Sequence, residues 1–223
     1  MANATVASGP MTPLDMASTF FVKFGQLFYI VDPRVTFVKG DPLTDPTVVP
    51  GFISDAIPFF FLLCMLEYVV LAWQSSGKES AFKRTYRLKD FIMSINLGTT
   101  QQIIGIWLKF FTMTTYCVVF DKFRKYRPWG DMPHDSLATF AAIFLLGDCG
   151  YYWFHRTAHC WHFAWASHYV HHSGEDYNFA TALRQGTFQS VSSWVFYLPL
   201  AAAGFPPAPF FAHSQLNTLY QFW

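Results

Sequence analysis

The sequence predicts an all-α, multi-pass transmembrane helical bundle with a histidine-rich metal site at the membrane interface. Three observations carry this prediction. Of 223 residues, 52% are hydrophobic and 20% aromatic, and 13% are charged, about half the ~25% charge of a soluble domain. Apolar runs long enough for a bilayer alternate with polar, proline-rich or basic stretches. Six of the eight histidines fall between positions 155 and 172. The net charge of +1 creates no field that would draw in nucleic acid.

In chain order, residues 1–50 read as an N-terminal polar and interfacial segment, and residues 51–223 as the membrane domain. Positions 1–18 are small, polar and proline-containing, which predicts disorder. They contain no basic stretch followed by an apolar core, so no cleavable signal peptide is visible. FFVKFGQLFYIV at 20–31 is too short to span and is expected on the interface. Pro33, Pro42, Pro46 and Pro50 mark 32–50 as a loop. The first span is expected over 56–73. It holds Glu67, an intramembrane carboxylate that either serves function or pairs with a neighbouring helix.

Lys78, Lys83, Arg84, Arg87 and Lys89 then form a basic stretch, expected to be cytoplasmic. The apolar run at 103–120 is interrupted by Lys109 and followed by Lys122, Arg124, Lys125 and Arg127. One crossing between two basic loops would break the positive-inside rule. Residues 91–120 are therefore expected to enter and return as a hairpin, or to lie in the interface. Asp135 or Ser136 suits the N-cap of a span beginning at 137. Residues 188–204 are apolar around Pro199. Pro206 and Pro207 then make a turn, and 210–223 opens another apolar segment. Cys64, Cys117, Cys149 and Cys160 form no CxxC pair and read as reduced packing residues. The C-terminus carries no retention or lipidation signal.

The histidine spacing is helical. His155 and His159 are four apart and share one helix face. Asp148, Tyr152, His155, His159 and His162 step by alternating fours and threes, a single stripe on a continuous helix. His168, His171 and His172 repeat the pattern. Five or six imidazoles could thus face one point. Imidazole suits iron, zinc and copper. A structural zinc needs only four ligands, so five or more suggest two metals. No HExxH or CxxCH is present, which disfavours a zinc protease and a c-type haem. Adjacent His171 and His172 suit a metal cluster better than a b-type haem. His134 and His213 read as hydrogen-bond partners. Glu175, Asp176, Asn178, Arg184 and Gln185 follow the cluster between two apolar segments. They could orient the histidines, contact a polar cofactor, or form an ordinary solvated loop.

The HxxxH at 155–159 and HxxHH at 168–172 resemble the first two histidine boxes of the membrane fatty acid hydroxylase and sterol desaturase superfamily. The surrounding words GDCGYYWFHRTAH, SHYVHHSGEDYN, TALRQ and LYQFW are similar to the alkylglycerol monooxygenase family within it. The resemblance implies a hydroxylase-like domain over 51–223 and a di-iron centre held by His155, His159, His168, His171 and His172. It implies a multi-pass enzyme of the endoplasmic reticulum membrane that uses O2 and tetrahydrobiopterin to oxidise the ether-linked carbon of alkylglycerol lipids, giving a fatty aldehyde and a glycerol derivative. It leaves homo-oligomerisation open. Members carry a third HxxHH box further downstream, so this chain is expected to be C-terminally incomplete. The alternatives are a sterol or fatty acid hydroxylase or desaturase, and a truncated, catalytically inactive isoform.

Overall fold

A computed structural model describes residues 12–74, 87–175 and 177–222. Positions 1–11, Lys78, Lys83, Arg84, Asp176 and Trp223 lie outside them. Every regular element among the described residues is helical.

Helix α1 (Pro13–Gln26) begins inside the stretch expected to be disordered. The local chemistry explains this. Thr12 and Asp15 form a capping box, and Pro13 occupies the first helical position. These are start signals that overall polarity hides. After two short 3-10 turns, Pro33–Thr36 and Pro46–Val48, comes α2 (Phe52–Gln74). Lys23 of α1 pairs with Asp55 of α2 at 2.8 Å, fixing α1 across the start of that helix.

Helix α3 (Leu88–Arg124) is the main correction to the sequence reading, because it is one continuous helix of 37 residues. At ~1.5 Å per residue it is about 55 Å long, against a hydrocarbon core of ~30 Å. Lys89 at its start and Lys122 and Arg124 at its end can therefore both lie outside the hydrocarbon. The positive-inside rule concerns orientation and does not require the helix to break. No proline interrupts it. Helix α4 (Leu137–Cys160) starts at Ser136, whose hydroxyl accepts from the Ala138 N–H at 3.2 Å. Helices α2, α3 and α4 are the three described helices long and apolar enough to cross a membrane. Their outward side chains, among them Phe61, Met65, Trp73, Trp107 and Leu145, are exposed apolar groups, as lipid solvation permits.

The rest is short. Helix α5 (His162–His168) and a 3-10 turn (His171–Ser173) carry the second histidine group. Then follow α6 (Phe179–Ala182), α7 (Gln189–Ser193), a 3-10 turn (Trp194–Tyr197) and α8 (Leu198–Ala203). The apolar stretch at 188–204 is thus divided into short pieces, with Pro199 in the first turn of α8. Helix α9 (Pro207–Tyr220) closes the described chain.

Two apolar clusters join these elements. Leu27, Phe52, Phe59, Leu63, Leu216 and Leu219 lock α2 to α9 and the end of α1. Tyr116, Phe120, Ile143, Leu200, Phe205 and Phe210 lock α3, α4, α8 and α9. Near the histidines, α3 runs so close to the end of α6 that a Cβ on Gly98 would stand 2.6 Å from the Leu183 carbonyl oxygen. Only glycine allows that approach.

Candidate metal centre

His155 and His159 lie one turn apart near the end of α4, on the same face. At Trp161 the backbone turns extended (φ −111, ψ 116), so the helix stops and α5 starts in a new direction. This break overturns the expected stripe through His162, which is exposed at the start of α5 and apart from the cluster. It also folds α5 back, so that His168, at its last position, meets the α4 pair. His172 follows one turn later.

The four Nε2 atoms converge. His155 and His159 are 3.1 Å apart, His159 and His168 3.3 Å, and His168 and His172 3.0 Å. The ligand atoms of all four lie within 4.8 Å of one another. Imidazole nitrogens bound at ~2.0–2.1 Å around one tetrahedral ion would be ~3.3 Å apart. The donor set therefore fits a metal ion. His168 is buried, His155 is half-buried, and His159 and His172 are exposed, leaving one side of the cluster open.

The outer nitrogens are held by protein groups. Tyr151 Oη lies 3.1 Å from His155 Nδ1, and Gln189 Oε1 lies 3.1 Å from His168 Nδ1. A carbonyl oxygen can only accept, so His168 carries its proton on Nδ1 and turns a lone pair inward. Burial pushes His168 down to about 4, with neighbouring histidines adding to the effect and Gln189 opposing it. His172 is lowered by burial and by His171 and His159. Neutral imidazoles are what a metal requires.

His171 is placed differently. Its Nδ1 donates to the Arg184 carbonyl at 2.9 Å. The Gln185 amide, 3.4 Å from the same nitrogen, donates instead to the Ala182 carbonyl at 3.1 Å. The His171 ring stands 5.6 Å from His168 and 5.1 Å from His172, beside the four-nitrogen group and outside it.

Arg184 ties this region together. It is 3% exposed. Its guanidinium donates to Asp90 Oδ1 at 3.0 Å, to the Asp90 carbonyl at 3.2 Å, to Ser94 Oγ at 3.2 Å and to Ser173 Oγ at 3.1 Å. One side chain thus joins the start of α3 to the turn carrying His171 and His172. Glu67 plays a parallel part from α2, accepting the Phe179 N–H at 3.0 Å. Asn178 caps α6 through Thr181, and Glu175 pairs with Arg87. The cysteines are unpaired with one another.

Sequence reasoning missed Tyr151, Gln189 and Tyr29. Tyr151 and Tyr152 both sit at helical spacing from His155. The stripe selected Tyr152, whose hydroxyl instead accepts from Arg156 at 2.9 Å. Gln189 is distant in sequence from His168, and no local period could find it. Tyr29 has a left-handed backbone (φ 60) and hydrogen-bonds buried His213 through Nδ1. His134 is half-buried in the loop before α4. A cavity of about 880 Å³ runs from His168 and His171 to Tyr29 and His213.

Residues 140–223 match the family model for fatty acid hydroxylase. The human alkylglycerol monooxygenase is 40% identical over 200 residues, which cover 90% of this chain and 41% of that protein. The chain is a homologue of the alkylglycerol monooxygenases. The Danio rerio enzyme is 40% identical over 78% of this homologue and 37% of its own length. The Caenorhabditis elegans enzyme is 30% identical over 87% and 35% respectively. The homologue thus spans about two fifths of the length of the curated relatives it matches. No solved structure matches it. The histidine cluster and the hydroxylase family together fit a metal site in a membrane protein.

Proposed function

We propose that this chain carries part of the iron site of a membrane monooxygenase that oxidises the ether-linked carbon of alkylglycerol lipids, releasing a fatty aldehyde and a glycerol derivative. The convergence of four Nε2 atoms from α4, α5 and the turn that follows, in a chain 40% identical to an alkylglycerol monooxygenase, carries the reading. His155, His159, His168 and His172 would hold one iron, and His171 would serve a second. Bound iron would supply the reduction of O2 needed to break a C–H bond, with tetrahydrobiopterin giving the electrons and water taking the second oxygen.

The chain's own part is to bind, orient and exclude. Tyr151 and Gln189 hold two imidazoles by their outer nitrogens, which fixes ring direction and raises ligand basicity. Arg184 and Asn178 commit their side chains to protein partners. Gln185 lines the cavity, and of the described pterin candidates Glu175, Asn178, Arg184 and Gln185 it is the one we assign to meet a ligand. Hydroxylation next to the ether oxygen yields a hemiacetal, which collapses without further catalysis. The setting is the endoplasmic reticulum membrane, crossed more than once by α2, α3 and α4, with the lipid supplied from the bilayer.

The test uses the full-length natural protein in membranes. Expected are iron bound in proportion to protein and aldehyde release from alkylglycerols that depends on added tetrahydrobiopterin. The fatty acid hydroxylase match at 140–223 favours a second reading, a sterol or fatty acid hydroxylase or desaturase. Turnover of those lipids without pterin, and none of alkylglycerols, would decide for it.

A further inference from the structure

The cavity has a definite direction. At one end it is lined by His168 and His171, and at the other by Tyr29, Phe144 and His213. Phe144 packs on the Tyr29 ring at 4.8 Å. Along α4 the cavity wall runs from Phe144 to Phe154, a span of ~15 Å at ~1.5 Å per residue. A hydrocarbon core of ~30 Å holds two lipid chains end to end, so one chain needs ~15 Å. The cavity is therefore as deep as one lipid chain is long.

Two features give it the form of a measured slot. Gly147 lines it midway along α4, and a Cβ added there meets nothing within 4 Å. Gly150, one turn on, would press on the Tyr197 ring at 3.0 Å, so helix packing explains Gly150 but not Gly147. Glycine weakens a helix relative to alanine; at 147 it keeps the slot open. The far end is polar. His213 is 3% exposed, its Nδ1 hydrogen-bonds the Tyr29 hydroxyl, and its Nε2 is buried with no partner among the described residues. A longer alkyl chain could pass this end only by separating the Tyr29–His213 hydrogen bond and leaving both groups buried and unpaired, which is unfavourable.

We propose that this cavity holds the alkyl chain of the lipid substrate, with Gly147 leaving its passage and the Tyr29–His213 pair setting the longest chain admitted. The inference rests on the proposed function, since it takes the reacting end of the lipid to lie at the histidines.

The experiment measures aldehyde release from a series of alkylglycerols, dodecyl to docosyl, by the full-length protein in membranes. Gly147→Leu is expected to lower the long-to-short rate ratio by about tenfold or more for each methylene that no longer fits. His213→Leu and the milder Tyr29→Phe are expected to raise it for the longest chains. Ratios unchanged in all three variants would overturn the proposal. If the wild-type protein turns over no alkylglycerol, the functional reading fails. Thermal stabilisation of the same protein by the same lipids then decides: a length limit that moves with Gly147→Leu upholds the slot, and one that does not removes it.

Discussion

Arg184→Ala tests the most connected side chain near the histidines. The substitution removes four donor contacts and leaves Asp90 without its cation. Ser94 still donates to the Asp90 carbonyl at 2.8 Å and Ser173 to the Val170 carbonyl at 2.7 Å, so the two hydroxyls lose little. Asp90 loses most. One of its carboxylate oxygens is already buried without a partner, and its side chain is only 25% exposed. Breaking a buried ion pair by removing one member costs ~3–5 kcal/mol. The remaining exposure of Asp90 places this case near the lower end, about 3 kcal/mol. The metal site should suffer separately, because the Arg184 carbonyl fixes His171 and the guanidinium holds the turn carrying His171 and His172. Loss of such outer contacts lowers metal affinity ~10–100-fold. Thermal denaturation in detergent and chelator competition for iron would measure the two effects. Arg184→Lys retains a charge for Asp90 but not the fork that reaches Ser94 and Ser173, so it should recover stability more than affinity. Combined with Asp90→Asn, Arg184→Met should be less harmful than the two changes added, by ~0.5–3 kcal/mol. Full stability and iron affinity in Arg184→Ala, or strict additivity in the cycle, would refute the reasoning.

Iron content by emission spectrometry should fall to background in the His155→Ala/His168→Ala double variant and stay unchanged in His162→Ala; the reverse pattern would sink the ligand assignment. Tyr151→Phe and Gln189→Leu should each weaken iron binding ~10–100-fold, whereas Tyr152→Phe should leave it alone. Glu67→Leu removes the carboxylate that accepts the Phe179 N–H and should destabilise the protein by ~1–3 kcal/mol, with Glu67→Gln recovering most of it. Gly98→Ala, which drives a Cβ onto the Leu183 carbonyl, should displace the Arg184 loop and reduce iron content, as seen by limited proteolysis and metal analysis together.

The membrane helices and the histidine pairs were legible because their signals are local. Apolar length marks α2 and α4, Ser136 marks a start, and spacings of four bring His155 to His159 and His168 to His172. Local signals failed where the chain changes direction. Nothing in HCWHF announces that Trp161 turns extended, and that turn both removes His162 from the stripe and brings His168 to the α4 pair. The continuity of α3 was missed because charge was used to infer topology, although charge at both ends is compatible with a helix longer than the bilayer is thick. Gln189, Asp90 and Tyr29 were invisible for another reason: each meets its histidine or arginine only across the fold.

This division bears on how the site is assembled. An α4 pair four residues apart forms wherever that helix forms, so half of the four-nitrogen group is a property of local sequence. The other half depends on α5 and the turn after it, which are too short to be stable alone. What holds them is buried polar bonding to two long helices, Arg184 to Asp90 and Ser94 of α3, and Glu67 of α2 to the Phe179 N–H. Intramembrane and near-membrane charges are costly unless paired. Here the pairing fixes the second histidine group relative to the first. Glu67, read from sequence as either functional or a packing partner, accepts the first N–H of α6 and reaches the cluster only through that loop. Its substitution should therefore lower metal affinity in step with stability. Tyr151→Phe, which touches a histidine directly and leaves every interhelical bond in place, should lower affinity with stability nearly unchanged. Parallel losses in both variants would mean that Tyr151 also acts through the fold, and that α4 does not present its histidines unaided.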